Sequence, residues 1–200
     1  MDVLTVAALL SLLSVSAAKP LECEDLIQPL PLNEIQAKIS GQWIYTEART
    51  NHQPYTDLLK TLNSSLMDIV LSPQNGTAVI KQRHMLSGKC HYHLINLNTS
   101  NNTIHRLHAN GTTTITVLPS CSDCLVLNFI IVDGKNIIKT LKLYGKTRRL
   151  SPSDLEMYQK QAECLGLPAP SFKDDEKQDL CPDEEKPAST EEGGREKSGH

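Results

Sequence analysis

Aromatic side chains are scarce in this chain. Trp, Tyr and Phe make up 4% of its 200 residues, with one Trp, five Tyr and two Phe. So few large rings cannot fill an extended core or an enclosed space by themselves. An excess of one charge is also missing. Twenty Lys and Arg stand against 23 Asp and Glu, a formal net charge of −3. That balance offers no basic surface for nucleic acid. Beyond the first residues, no apolar run approaches the ~18 residues of a membrane helix, so no stable membrane insertion is expected. No Ser-His-Asp or paired-acid arrangement stands out, and neither enzymatic activity nor a cofactor is expected. His91 and His93 in "CHYHL" share a strand face and could both ligate a metal; His84, His105 and His108 add supply. No third ligand has diagnostic spacing, so no metal is expected.

What is present points outward from the cell. "VLTVAALLSLLSVSAA" is an apolar run ending in small residues and reads as a signal peptide over residues 1–18. Its removal deletes Asp2 and moves the net charge from −3 to −2. Six cysteines stand at 23, 90, 121, 124, 164 and 181. In a secreted chain an even count means disulfides first, and six cysteines allow fifteen pairings. Cys121 and Cys124 lie between strand-like flanks, which favours a local bridge over a redox motif. Five glycosylation sequons, at Asn63, Asn75, Asn98, Asn101 and Asn110, suggest a glycan-covered surface.

The middle of the chain alternates short strand-like runs with turn signals. The runs cover 41–48, 65–72, 77–86, 90–98, 103–109, 112–118, 124–132 and 135–145. Asn75-Gly76, Asn110-Gly111 and Asp133-Gly134 tolerate the positive φ of tight hairpin turns. Eight sequential strands give an up-and-down meander, and closing it into a barrel removes both open edges. A barrel of this size either fills with side chains or holds one small ligand. Tyr55, Leu58, Leu59 and Leu62 have helical spacing inside a long loop after the first strand. "SPSDLEMYQKQAECLGL" is the clearest helix, with Ser151 as N-cap, Pro152 at the first position and Asp154 reaching back. Leu155, Tyr158, Ala162 and Leu165 form its apolar face. Residues 182–200 carry no apolar periodicity and are expected to be a disordered acidic tail.

The order of these pieces resembles the lipocalins. Gly41 and Trp43 match the first motif of that family, and "LYGKT" at 143–147 resembles the third, with Lys146 where the family has Arg. "VDGKN" matches the second only loosely. The resemblance implies an all-β fold: an eight-stranded antiparallel up-and-down barrel over 19–181, with one C-terminal α-helix packed outside. Gly41, Trp43 and Lys146 (or Arg148) would close one end. Within the lipocalins the chain is most similar to the orosomucoids, or alpha-1-acid glycoproteins. The saxitoxin- and tetrodotoxin-binding proteins of pufferfish and apolipoprotein M share the layout. "CEDLIQPLPL", "GQWIY", Cys90, Cys164, Cys181 and the charged tail carry that likeness.

The likeness implies the pairings Cys23–Cys164 and Cys90–Cys181, leaving Cys121–Cys124 as an extra. It also implies a ligand site. Tyr45, Arg106, Leu127, Phe129, Lys142 and Tyr144 fall on pocket positions; Gln82 replaces a pocket Glu and Leu86 a second pocket Arg. Glu47, two residues after Tyr45, is a candidate internal counter-ion. The implied function is a secreted, monomeric, plasma-type carrier of a small lipophilic ligand: a steroid, fatty acid, drug or toxin-like molecule. Losing the Glu and gaining Lys142 shifts the expected headgroup towards neutral or anionic. The alternative is an acute-phase immunomodulatory glycoprotein acting through its surface and glycans.

Overall fold

The computed structural model describes residues 22–72, 77–100, 103–108 and 111–183, without the side chains of 99, 100 and 108. The leader over 1–18, the tail beyond 183 and the sequons at Asn75, Asn101 and Asn110 lie outside the described residues. Two short helices, α1 (Cys23–Ile27) and α2 (Leu32–Lys38), precede β1 (Gly41–Thr50). A third, α3 (Gln53–Leu59), leads into β2 (Leu62–Ser72) and β3 (Thr77–Leu86). Then come β4 (Lys89–Ser100), β5 (Thr103–His108), β6 (Gly111–Leu118), β7 (Cys124–Asp133) and β8 (Asn136–Gly145). The chain ends in α4 (Pro152–Cys164) and a two-residue strand, β9 (Phe172–Lys173).

Each strand from β2 to β8 pairs antiparallel with the next, and β1 joins β8 to β2, which closes an eight-stranded barrel. Closure on β2 is brief: only Gly41 to Ile44 pair with Ile69 to Leu66. Beyond that point β1 runs on with β8, and β9 fills the gap beside Glu47 and Ala48. The sequence holds no period-2 signal for so short a strand, and β9 was not foreseen. Neither were α1 and α2, hidden in a Pro-rich stretch.

Trp43 plugs the end where β1 begins. It is fully buried among Ile35, Ile39 and Met67, and its indole Nε1 donates to the Ile39 carbonyl at 2.8 Å. The Lys146 ammonium sits 3.6 Å from the ring centroid and donates to the Gln42 carbonyl at 3.0 Å. Arg148, the other candidate for this place, turns instead to Asp174 at 3.3 Å and to the Glu176 carbonyl. Gly41 has φ +101°, and a Cβ there would lie 3.2 Å from the Lys146 Nζ. A side chain at 41 is therefore disfavoured twice, by backbone conformation and by the closing cation. On the outside, Lys38 ties α2 to the β6–β7 loop by donating to the Ser120 and Cys121 carbonyls.

The helix α4 begins as its sequence indicates, with Ser151 Oγ accepting from the Asp154 N–H. Asp154 answers by accepting from the Ser151 hydroxyl rather than from its backbone. The apolar face differs from expectation. Leu155 is 42% exposed, and the buried residues are Tyr158, Gln161 and Ala162. Gln161 takes the place because its amide donates to the Leu26 and Pro119 carbonyls, so its polarity is satisfied inside. Tyr158 donates to the Leu141 carbonyl, fixing α4 against β8. The disulfides are Cys23–Cys164, Cys90–Cys181 and Cys121–Cys124.

Trp43→Ala should lower the free energy of unfolding by roughly 3–5 kcal/mol in urea titration. Lys146→Met keeps the stem but removes the charge over the ring and should cost about 0.5–1 kcal/mol. The Cys23–Cys164 bridge spans 141 residues, so the chain-entropy estimate for it is about 5 kcal/mol. The bridge across three residues, Cys121–Cys124, should contribute under about 2 kcal/mol. Serine substitution of each pair, followed by the same titration, checks that order.

Candidate functional site

Inward-facing residues of β2 to β8 line a cavity of about 550 Å³, to which β1 contributes none. Its wall is largely aliphatic, with Met67, Ile80, Leu97, Ile104 and Ile115 from the strands and Ile39, which caps α2, at the closed end. The size falls within the range of small-molecule sites. Few polar groups face it: Gln82, Arg106, Thr113, Thr140, Lys142 and Tyr144 from the strands, with Tyr55 from α3 and Asp133 at the rim.

Six of the eight ligand-site positions drawn from the sequence line this cavity: Gln82, Arg106, Leu127, Phe129, Lys142 and Tyr144. Tyr45 and Leu86 do not. Tyr45 stands behind the wall, stacked between Tyr144 and Phe172 with both ring centroids at 4.9 Å. Phe172 belongs to β9, so an unforeseen strand supplies one of the two rings that sandwich Tyr45, and Tyr144, the other, lines the cavity. Burial, then the Tyr55 and Tyr144 phenols nearby, push the Tyr45 pKa well above its ordinary value. Leu86 lies at the outer end of β3, paired with Leu62 and Lys89 beyond the cavity's reach. Thr113 and Thr140 were missed, although alternation shows both, two residues before Ile115 and Lys142. Nothing local in the sequence marks Tyr55 or Ile39 as cavity residues.

Glu47 also departs from expectation. The register of β1 against β8 shifts between Tyr45 and Glu47, a β-bulge. One extra residue reverses the alternation beyond it. Trp43, Tyr45 and Ala48 therefore belong to the inner core, while Glu47 meets Arg49 at 3.1 Å and Lys173 at 3.5 Å. It also acts on Tyr158 of α4, whose pKa burial raises first and Glu47 second. Glu47 is buried outside the barrel and is no counter-ion for the cavity.

Lys142 is thus left with no ion-pair partner among the described residues. Its ammonium lies 4.4 Å from the Phe129 ring centroid, 5.5 Å from Tyr55 and 5.7 Å from Tyr45. Burial works to lower its pKa, but the Tyr55 and Tyr144 phenols beside it outweigh that and hold it above the ordinary lysine range. The cavity therefore carries a fixed positive charge held by ring faces rather than by a carboxylate. Arg106 adds a second cation, exposed on β5.

Two further clusters bear on metal chemistry. Cys121, Cys124 and Asp154 bring their ligand atoms together, but both sulfurs are consumed by a disulfide and offer no thiolate. Near the open end, His84 of β3 lies opposite His91 of β4, and its ring centroid is 5.6 Å from that of His93. Burial first, then Lys142, His93 and His91, bring the His84 pKa down to about 4.

No family model matches the sequence, and no curated protein matches it significantly. Solved structures do. The chain is similar to Ex-FABP, a siderocalin described as functioning through dual ligand specificities. That match has 14% identity and a TM-score of 0.60, covering 69% of this chain and 95% of that one. It is similar to a dog lipocalin allergen at 18% identity and TM-score 0.56, over 66% of this chain and 89% of that one. The bovine lipocalin allergen Bos d 2 matches at 21% identity and TM-score 0.55, with the same coverage. At such identities the likeness is one of fold, and it agrees with the closed eight-stranded antiparallel barrel and the helix α4. The chain has the lipocalin fold.

Proposed function

We propose that this chain is a lipocalin that binds and carries one small lipophilic or amphipathic molecule in the barrel. The observation that carries this reading is the cavity of about 550 Å³, apolar over most of its wall and holding the ammonium of Lys142. Binding needs no bond-making: apolar surface leaves water, at about 25 cal/mol per Å². A neutral or anionic headgroup suits the polar end. An unpaired ammonium in a dry cavity is costly, and a carboxylate, sulfonate or hydroxyl beside it relieves that cost. A cationic amphiphile would add a third positive charge to those of Lys142 and Arg106, with Asp133 at the rim as the one carboxylate among the lining residues.

The finer reading is a secreted, orosomucoid-like plasma glycoprotein acting as a monomer. It is supported by the apolar leader, the sequons, and the long bridges Cys23–Cys164 and Cys90–Cys181. Asn98 is exposed on β4, and Asn63 is half-buried with its Oδ1 accepting from the Gly88 N–H. Glycan mapping of material secreted by animal cells tests this part.

Displacement of a fluorescent probe by a fatty acid and by the fatty alcohol of equal chain length tests the headgroup assignment. The acid should bind the native protein tighter. Lys142→Met should weaken the acid by at least about tenfold, roughly 1.4 kcal/mol, and leave the alcohol within about threefold. Equal loss for both, or tighter binding of a cationic amphiphile, would overturn it.

The same cation gives a pH dependence of known sign. With its pKa raised, the Lys142 charge persists through neutral pH and is lost only under strongly alkaline conditions. Affinity for an alkyl sulfonate, whose own charge does not titrate, should therefore be flat between about pH 6 and about pH 9. Tyr45→Ala should act differently from Tyr144→Ala. Removing Tyr45 leaves a hole behind the wall and should cost roughly 3–5 kcal/mol of stability. Removing Tyr144 enlarges the cavity itself and should also change the preferred chain length of the ligand, read in the same displacement assay.

A further inference from the structure

We propose that His84, His91 and His93 form a binding site for one divalent transition-metal ion, Zn²⁺ being the fitting case, at the open end of the barrel. His91 and His93 are two apart on β4 and so project from the same face. The sequence offers no third ligand at a diagnostic distance, because the third comes from the neighbouring strand. In the β3–β4 register His84 stands directly opposite His91, and His93 opposite Gln82. Gln82 lines the cavity, so all three histidines lie on the inward side, just beyond it. Directly opposite residues bring their Cβ atoms to ~5 Å and diagonal ones stay within reach of long side chains.

Two of the three rings already stand near the spacing that a shared ion needs. His84 and His93 have centroids 5.6 Å apart and a 50° tilt. An ion ~2.0–2.1 Å from one nitrogen of each ring, at a tetrahedral angle, places the centroids ~5 Å apart. His91 and His93 are exposed side chains, so rotation about their own χ angles completes the set without moving the backbone. His84 is already oriented: its Nδ1 lies 2.8 Å from the Ser65 hydroxyl. That contact leaves Nε2 as the ligating nitrogen, in the way outer partners fix metal-bound imidazoles. Three neutral imidazoles and an open fourth position suit Zn²⁺ and its near neighbours better than oxygen-seeking Ca²⁺ or Mg²⁺. The site stands independently of what the cavity carries.

Untagged, chelator-treated full-length protein is titrated with ZnCl₂ by calorimetry and with CoCl₂ by visible absorption. One equivalent of Zn²⁺ should bind, and Co²⁺ should give the intense absorption of a four-coordinate centre. His93→Ala and His84→Gln should each weaken Zn²⁺ by roughly 100-fold or more, and Ser65→Ala by roughly tenfold. His105→Ala, on the outer face of β5, should leave binding unchanged. Should His84→Gln, at a half-buried position, fail to fold, His91→Ala and His93→Ala at exposed positions carry the test. The proposal is overturned if the native chain binds no stoichiometric Zn²⁺. It is equally overturned if His93→Ala binds as the native chain does, or if His105→Ala loses as much as His93→Ala.

Discussion

The register of β1 is the constraint on which the rest depends. This one strand closes the barrel against β2 with its first four residues, then carries β8 and β9 along the remainder. Its bulge between Tyr45 and Glu47 changes which side chains face inward. Before the bulge Trp43 and Tyr45 are inside. After it Ala48 is inside, while Glu47 and Arg49 form an ion pair under α4. Without the extra residue, strict alternation would place Glu47 in the barrel beside Lys142, and the interior would hold a compensated pair. With it, the carboxylate is spent outside and the interior keeps an uncompensated ammonium. A local backbone irregularity thus sets the electrostatic character of the whole cavity.

That ammonium is tolerable because of the few aromatic residues in the right place. Phe129, Tyr55 and Tyr45 all turn a ring towards it, and a desolvated cation over aromatic faces gains ~2 kcal/mol or more. The chain has only two Phe and five Tyr. Three of these rings, with Tyr144 adjoining, gather around one lysine, while aliphatic side chains form most of the remaining wall. Scarcity of rings overall therefore does two things: it leaves the barrel unfilled and concentrates the available rings at its charged point. The lone Trp stays apart at the closed end, where its own cation, Lys146, comes from the end of the barrel rather than from within it.

Much of this order was legible in the sequence. Strands β3 and β6 to β8 lie within a residue of their apolar runs, because alternation and Gly turns report local geometry directly. The lipocalin resemblance added the closure at Trp43 and the long disulfide pairings, which spacing could not choose. What escaped was whatever depends on contacts distant in sequence. The bulge in β1 has no local signature, since "YTEA" alternates well enough either way. The two residues of β9 are too few to show a period. Leu155 has the correct helical spacing to be buried, yet Gln161 takes the interior because two carbonyls, one 135 residues away, receive its amide. Tyr45 has the inward face, yet it is sandwiched between Tyr144 and Phe172 and does not line the cavity.

The two ends of the barrel also differ in firmness, and function follows that difference. At the closed end Trp43, Lys146, α2 and the β1–β2 ladder converge. At the open end the β4–β5 ladder is thin: among the described residues only Asn98, Thr99 and Ser100 of β4 pair with β5, all three near the closed end. Lys89 to Leu97 pair with β3 alone. The β1–β2 ladder is similarly short, with four pairs at the closed end, so both seams are places where local opening costs least. His91 and His93 lie on this loosely held half of β4, held through β3, where His84 faces them. An ion shared by the three would tie the strand least anchored on one side to the partner it already has. The histidine cluster therefore lies on the part of β4 that is paired on one side only.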